Sequence, residues 1–223
     1  MQISKSKKIS IYIFLLILLG SINNISLNKI QFEKIEKINV SGLDESDNQK
    51  LLKEIKNLNL GNIFFINRNE INTIINSNSL VETYDIFKKY PSRIDVKLKK
   101  TNFLAKINLD GQLFFIGSNG KLTQSFFINE DLPFIFGNPN INEFLKFKKI
   151  IDNSKISYEN IKSLFFFRTK RWDIELKNNI LIKLSRDNVE KDLNNVYLFL
   201  DKENDSSKKI IDARIQNQII TNE

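Results

Sequence analysis

An apolar run directly after a cluster of lysines is the feature that most constrains this chain. The lysines lie within residues 1–8, and the run from Ile9 to Gly20 contains no charged residue. Apolar residues continue the pattern to Leu27, and a helix over residues 9–27 has 19 residues. At about 1.5 Å per residue, such a helix nearly spans a hydrocarbon core of about 30 Å. The sequence therefore predicts a transmembrane anchor at residues 9–27 and a basic tail at residues 1–8.

A cleaved signal peptide is the competing interpretation of the same segment. The strictly apolar part is about as long as the apolar region of a signal peptide. Cleavage also needs small residues before the cut, however, and the nearest candidate positions hold Asn or Leu. The sequence therefore favours an uncleaved anchor whose basic flank stays in the cytoplasm. Under either interpretation, everything after about residue 30 is exported.

The residue types that are missing exclude most kinds of catalysis. The chain has no cysteine and no histidine, which removes Ser-His-Asp and Cys-His catalysis, redox dithiols and thiolate or imidazole metal sites. It has no Gly-rich phosphate loop. Asp173 and Glu175, two residues apart on one strand, are typical of exposed surface charge rather than of an acid–base pair. We therefore expect no enzyme activity, no cofactor, no metal and no small-molecule substrate.

The net charge of +8 is divided between the N-terminus and the rest of the chain. Half of it lies within residues 1–32, and the other half is spread over the remaining 191 residues. That excess is mild, and the abundance of Ile, Asn, Lys and Phe is typical of A/T-rich codon usage, so we expect no nucleic-acid partner. A basic cluster at Lys88, Lys89 and residues 97–100 forms either a solvated face or a patch facing a membrane surface or a partner.

Residues 32–100 predict a compact module in the order β-α-α-β-β. The first strand alternates Ile38 and Val40 with polar residues. Two strands near the end, at about 81–88 and 93–99, complete a sheet that buries one face against both helices. Each helix begins at a capping pair, Ser46 with Gln49 and Asn67 with Glu70.

Residues 101–223 predict a mostly antiparallel β domain with flanking helices, so that the whole chain is of the α+β class. Asp110-Gly111 is a strong signal for a two-residue hairpin. Trp172 is the first inward residue of an alternating strand, and we expect it in the core. The last strand is predicted at Ile211, Ala213 and Ile215, with residues 218–221 as its hairpin partner.

Five segments, in this order and spacing, resemble the FtsQ/DivIB family of bacterial cell-division proteins. They are similar to the first POTRA strand of the family, its basic-x-aromatic-Pro segment, its Leu-Pro…Gly element, its Arg-Arg-Trp strand and its near-terminal Val-Asp-Leu-Arg strand. The similarity extends over nearly the whole chain, with local departures at residues 102–105, 118–120 and 178–179. The five segments are Ile38–Gly42, Lys88–Val96, Leu132-Pro133 with Gly137, Lys170–Leu176 and Ile211–Arg214.

The resemblance implies a non-catalytic, single-pass membrane scaffold of the divisome that is required for septum assembly. It places the protein in the bacterial inner membrane at the division septum, with a cytoplasmic N-terminus and periplasmic domains. It also implies that the POTRA module contacts upstream division proteins, and that the terminal strand pairs with a segment of FtsB within an FtsB/FtsL coiled coil. The alternative is a POTRA-containing export or outer-membrane assembly factor, which needs a β-barrel of many alternating strands. A third possibility is a secreted hydrolase that uses carboxylates, but such an enzyme needs an acidic cluster and this sequence has none.

The residues themselves also point to the terminal strand. A last strand leaves one edge with no later segment to pair with, and such an edge is a template for strand addition. We expect this edge at about residues 216–221, with Arg214 beside it as a partner for an acidic side chain. Arg171 is a secondary candidate, because its strand contributes nearby charge in the family. The expected partner-binding residues are Arg171, Arg214, Ile215, Asn217, Gln218, Ile219 and Ile220.

Overall fold

A computed structural model of the chain describes residues 5–22, 34–124, 131–202 and 210–222. Within them, the strands form two sheets, one of three strands and one of nine. Two helices accompany the small sheet and two more accompany the large one. The observed class is α+β, as predicted.

The N-terminal helix α1 runs from Lys5 to Ile22. In the described residues, no helix is both long enough and apolar enough to cross a membrane. The membrane-spanning helix predicted at residues 9–27 is therefore not found in the structure. Residues 1–4 of the predicted tail and 23–27 of the predicted anchor lie outside the described residues.

The first module has the predicted order β-α-α-β-β. Its central strand β3 pairs in parallel with β1 and antiparallel with β2. The hydrophobic core lies between this sheet and the two helices, with Leu51 and Ile55 of one helix and Ile71 and Ile75 of the other all buried. The elements are β1 (Lys37–Ser41), α2 (Glu45–Asn57), α3 (Arg68–Ser77), β2 (Val81–Lys89) and β3 (Arg93–Lys100).

One of the two predicted helix caps is wrong. Helix α2 has Asp44 at its N-cap and no side-chain hydrogen bond there, and Ser46 lies inside the helix. The neighbouring Asn48 is buried instead and bonds the backbone of Leu43 twice, accepting from its N–H at 3.1 Å and donating to its C=O at 2.8 Å. The second cap is confirmed, because the Asn67 side chain accepts from the N–H of Asn69 at 3.1 Å.

The large sheet has the order β12-β11-β10-β9-β8-β7-β4-β5-β6. Five of its strand pairs are antiparallel and three are parallel, so the expectation of a mostly antiparallel domain is confirmed. Its strands are β4 (Phe103–Leu109), β5 (Gln112–Gly117), β6 (Leu122–Thr123), β7 (Phe134–Phe136), β8 (Ile161–Phe166), β9 (Trp172–Leu176), β10 (Leu181–Lys183), β11 (Ile210–Asp212) and β12 (Ile220–Asn222).

Two helices, α4 (Ile141–Asn153) and α5 (Val189–Lys202), contribute their apolar faces to the core of the large sheet. Trp172 is buried, as predicted, and its ring stacks on that of Phe147 of α4 at 4.5 Å between centroids. The other face of the sheet carries the alternate residues of each strand, because successive side chains on a strand point to opposite faces. That open face reaches the edge at which the chain's last strand lies.

Candidate partner-binding edge of the large sheet

Strand β12 forms one edge of the nine-stranded sheet. It pairs antiparallel with β11, and β11 pairs in parallel with β10 on its other side. The crossover from β10 to β11 passes through α5, the usual way to join parallel neighbours. Among the residues that the structure describes, no strand pairs with the outer side of β12, so its outward N–H and C=O groups are available to an added strand.

The strand at this edge is shorter than predicted and starts later. The predicted edge was about residues 216–221, and the observed strand is Ile220–Asn222. Between them the chain turns: the N–H of Gln218 donates to the C=O of Ile215 at 3.1 Å, and Asn217 has a left-handed φ of 60°. Residues 215–218 therefore form a turn, and Ile219 joins this turn to the edge strand.

The predicted last inner strand also ends earlier than expected. Strand β11 ends at Asp212, and the ladder continues only through the N–H of Ala213, which donates to the C=O of Lys183 at 2.9 Å. Ile215, predicted as a strand residue, is exposed in the connection between β11 and β12. The reason is the turn that follows directly, because a chain that reverses within residues 215–218 cannot continue the ladder.

The apolar candidates at the edge divide into one partly buried and two exposed side chains. Ile219 packs against the core of the large sheet. Ile220, on the edge strand itself, is 53% exposed, and Ile215 is about as exposed. Ile220 is therefore the candidate that lies on the edge and faces solvent.

Charged side chains cover the open face directly beside this edge. Asp173 of β9 lies beside Lys183 of β10 in the register. Lys183 in turn lies beside Asp212 of β11, and Asp212 lies opposite Ile220 of β12. Residues that are paired in register point to the same face of the sheet. Negative and positive side chains therefore alternate from strand to strand on this face, and the row ends at the apolar Ile220 on the edge.

Both predicted arginines belong to this group of charges. The Nε of Arg214 donates to Asp212 at 2.8 Å, and its Nη2 does so at 2.5 Å. The Nη2 of Arg171 donates to Asp173 at 3.3 Å, and its guanidinium lies 4.3 Å from the centre of the Phe167 ring. We call Arg171, Asp173, Lys183, Asp212 and Arg214 the edge charge cluster.

The two carboxylates of the edge charge cluster have opposite electrostatic environments. The hydrogen bonds from Arg214 hold the pKa of Asp212 below its usual range. Burial raises the pKa of Asp173, and this effect outweighs Arg171 and the N–H of Leu184, which both favour the charged form. The Asp212 carboxylate is therefore firmly ionised at neutral pH, and it holds Arg214 in place.

The structure corrects two expectations about these charges. Arg214 was expected to be available to an acidic partner, but it already has an intramolecular partner in Asp212, so a partner carboxylate must compete for it or share it. Asp173 was expected to be exposed, but it is only 3% exposed. The strand that carries Asp173 is central in the sheet, and the ion pair with Arg171 and the N–H of Leu184, which donates at 3.3 Å, compensate for its burial.

The fold brings Arg171 and Arg214 into one cluster, although they are 43 positions apart in the sequence. Asp173 is the ion-pair partner of Arg171, and the charge of Arg214 also lowers the pKa of Asp173. Sequence reasoning missed the other three members, Asp173, Lys183 and Asp212. The signal for the two carboxylates is the spacing Arg-x-Asp at 171–173, repeated in reverse as Asp-x-Arg at 212–214, whereas Lys183 belongs to neither pattern. Two such pairs on strands of one sheet place two arginines and two carboxylates on the same face.

Comparison with known protein families matches two family models to this chain. The model described as "POTRA domain, FtsQ-type" matches residues 33–100, and the model described as "Cell division protein FtsQ/DivIB, C-terminal" matches residues 96–214. The second match includes all five residues of the edge charge cluster but ends before β12 begins.

Curated relatives bear the same family names. The chain is 25% identical over 202 residues to the cell division protein FtsQ of Rickettsia bellii, covering 83% of this chain and 70% of that protein. It is 27% identical over 208 residues to the cell division protein DivIB of Clostridium botulinum, covering 85% and 81%. Among solved structures, the major extracytoplasmic domain of DivIB from Geobacillus stearothermophilus aligns at a TM-score of 0.33 and 10% identity, covering 48% of this chain and 99% of that one.

Proposed function

The chain belongs to the FtsQ/DivIB family of bacterial cell-division proteins, and from that premise we propose that it is a non-catalytic scaffold that binds a partner by strand addition at β12. A role in the divisome follows from the family, and that family is not one of enzymes. The POTRA match is of the FtsQ type, which favours division over the alternative of an export or outer-membrane assembly factor.

The observation that carries the proposal is the outer edge of β12, which the described part of the chain leaves without a neighbouring strand. An extended partner segment that lies along Ile220–Asn222 completes the ladder with backbone hydrogen bonds. Such bonds supply affinity largely independent of sequence, and alternate side chains then supply specificity. Three residues offer a short edge, so contacts beyond the ladder must add to the affinity.

Those additional contacts are available on the open face beside the edge. Ile220 presents an exposed apolar side chain, and Arg214, in the connection between β11 and β12, has a partly exposed guanidinium. A partner strand that places an apolar residue beside Ile220 and a carboxylate near Arg214 matches both. The partner of this chemistry is an FtsB/FtsL-type coiled-coil protein, which supplies the extended segment next to its helix.

The apolar segment that begins at Ile9 holds the protein to the inner membrane in this proposal. The lysines before it keep the N-terminus in the cytoplasm, and the two modules then lie in the periplasm at the septum. Extraction of membranes at alkaline pH tests this part separately, since an anchored chain stays with the lipid fraction and a peripheral one is released.

Site-specific photocrosslinking in dividing cells tests the strand addition. A photoreactive phenylalanine analogue at Ile220 is expected to capture a membrane-anchored coiled-coil division protein. The matched control places the analogue at Leu113, which is also an exposed apolar strand residue but lies far from β12 in the order of the sheet. Equal capture at both positions, or capture at Leu113 alone, contradicts the proposal.

A further inference from the structure

Three large aromatic side chains are exposed together on the first module. Phe65 is 77% exposed, Tyr90 62% and Phe64 51%. The rings of Phe64 and Tyr90 lie 5.2 Å apart between centroids, and Phe65 is the next residue along the chain. Single exposed apolar residues are common on proteins, but a contiguous group of aromatic rings marks an interaction surface. We call Phe64, Phe65 and Tyr90 the aromatic patch.

The backbone around the aromatic patch holds these side chains outward. Ile63, directly before them, is fully buried and fixes the loop to the core. The side-chain oxygen of Asn62 then accepts from the N–H of Phe64 at 3.0 Å and from that of Phe65 at 3.2 Å. The loop is thus anchored on both sides of Ile63, and the outward position of the two phenylalanines is part of the folded structure.

A row of cations crosses the sheet of the first module. Lys37 of β1 lies beside Arg93 of β3, and Arg93 lies opposite Lys89 of β2. All three are on the sheet face that the helices do not cover, since the core residues of β3 alternate with Arg93. Asp95, one step further along β3, pairs with Lys89 at 2.5 Å and Arg93 at 2.7 Å. It orders these two cations and neutralises only part of the charge of the row.

The aromatic patch and the cation row lie at the same end of the module, where the chain arrives from α1. Lys34 forms a β-bridge with Asn62, and the N–H of Ile35 donates to the C=O of Gly61 at 2.9 Å. The N–H of Glu36 donates to the C=O of Ser92, also at 2.9 Å. The arriving segment therefore contacts both the loop of Phe64 and Phe65 and the turn that begins at Tyr90.

The length of chain between α1 and the module limits how far apart the two are. Residues 23–33 join them, and a chain of this length reaches at most about 40 Å when fully extended. The side chains of α1 are mostly apolar from Ile9 onwards, and the apolar side chains of Ile9 to Leu19 are exposed on all sides of the helix. If α1 lies in a membrane, this end of the module is the part of the molecule nearest to the lipid surface.

From this arrangement we infer that the aromatic patch and the cation row together dock the first module on an anionic bilayer. Tyrosine favours the interfacial layer of a membrane, where its apolar ring and its polar hydroxyl are both accommodated. Phenylalanine buries its apolar ring at the boundary between headgroups and acyl chains. Lysine and arginine beside them bind the phosphates of acidic lipids, and each cation near the surface strengthens binding about fivefold. The inference rests on the membrane anchorage proposed above, and it is independent of strand addition at β12.

The absence of cysteine from the sequence allows a direct test in the full-length protein. A single cysteine in F65C carries an NBD fluorophore, and the labelled chain is reconstituted into vesicles rich in phosphatidylglycerol. Flotation with the vesicles first verifies the anchorage. We expect the emission of the label to shift to the blue and to be quenched by doxyl-labelled lipids. The same label in N194C, an exposed position on α5, remains in water, and F64C repeats the test with Phe65 and Tyr90 intact.

The contribution of charge is measured with the F65C label in place. Lys37→Gln removes one member of the cation row and is expected to lower the ratio of docked to undocked protein about fivefold. Lys53→Gln, at an exposed position of α2, is the matched control and leaves the ratio unchanged. Vesicles of phosphatidylcholine alone are expected to reduce docking of the unsubstituted chain and to abolish the effect of Lys37→Gln.

Three results overturn the inference. A chain that fails to float lacks the anchorage on which docking depends. A label at Phe65 as water-exposed as the one at Asn194 shows that the patch does not contact the bilayer. A label that is shielded from water but not quenched by doxyl lipids shows that protein, for example a second copy of the chain, covers the patch instead.

Discussion

The Nζ of Lys121 lies 2.6 Å from the carbonyl oxygen of Asn76, although the two residues belong to different modules. It also donates to the carbonyl of Asn78 at 3.0 Å. Both carbonyls lie at the C-terminal end of α3, where a helix leaves acceptors unpaired and where its dipole favours a cation. The turn that follows β5 in the large sheet thus caps a helix of the first module.

Replacement of Lys121 by methionine is therefore expected to weaken the coupling between the modules. The apolar stem remains, but the last carbonyls of α3 lose a charged donor, which costs about 1 kcal/mol of unfolding free energy. Thermal unfolding measures the loss as a lower Tm of the first module. Lys99→Met, at an exposed strand position, serves as the control and should leave Tm unchanged; an equal effect of both substitutions contradicts the capping role.

Glu82 holds a second part of the same junction. One carboxylate oxygen accepts from the hydroxyls of Thr101 and Ser118, each at 2.7 Å. Glu82→Ala leaves both partly buried hydroxyls without this acceptor, and we expect a loss of about 1–3 kcal/mol. Glu82→Gln keeps an oxygen in place and should lose less. Urea unfolding measures the stability of the two variants. If both are as stable as the unsubstituted chain, this network has no structural role.

Gly42 is expected to be the least replaceable glycine of the first module. Its φ is +120°, and a Cβ at this position meets the carbonyl oxygen of Leu98 at 1.8 Å. Gly42→Ala must therefore separate β1 from β3, at a cost of about 3 kcal/mol or more. Gly61→Ala is the matched control, since Gly61 also has a positive φ but no atom lies within 4 Å of its Cβ. We expect a cost of only about 1 kcal/mol there, and a reversed order of Tm values contradicts the packing argument.

The first module was predictable from sequence because its signals are local. Alternating strands and two amphipathic helices leave few arrangements that bury every apolar stripe, and Asn67 caps α3 as its sequence indicates. The cap at Ser46 failed for a tertiary reason: Asn48, two residues further on, is buried and bonds the backbone of Leu43. A burial that depends on the rest of the fold is not readable from a four-residue pattern.

The candidate edge was predictable in kind but not in detail. The Asp110-Gly111 hairpin and the core position of Trp172 follow from spacing alone, whereas the pairing of β10 with β11 depends on the crossover through α5. The exact edge also depends on a turn that places Asn217 at positive φ, and no glycine marks this position. As a result, Ile219 was assigned to the edge although it packs against the core.

The ion pair of Asp212 with Arg214 predicts a specific dependence of stability on pH. Arg214 lowers the pKa of Asp212 in the folded state, so the folded protein resists protonation of this group more than the unfolded chain does. The resulting stability is present above the unfolded pKa of about 3.9 and is lost as pH falls through the lower folded pKa. In Asp212→Asn, the free energy of unfolding should therefore fall less steeply as the pH is lowered. A slope at acid pH that is unchanged in Asp212→Asn contradicts this role of the ion pair.

Proline substitution along β12 tests whether partner binding uses the outer edge. Successive residues of a strand direct their N–H groups to opposite sides of the strand. Ile220 and Thr221 are successive, and therefore the N–H of one donates toward β11 and the N–H of the other points outward. Proline at the outward position removes a donor to the partner and is expected to abolish co-purification of the partner at unchanged Tm. Proline at the inward position removes a bond to β11 and should lower Tm. Ile220→Ala and Thr221→Ala keep the N–H groups and separate side-chain effects from backbone effects. If both proline variants keep both the partner and the Tm of the unsubstituted chain, then β12 is not the binding edge.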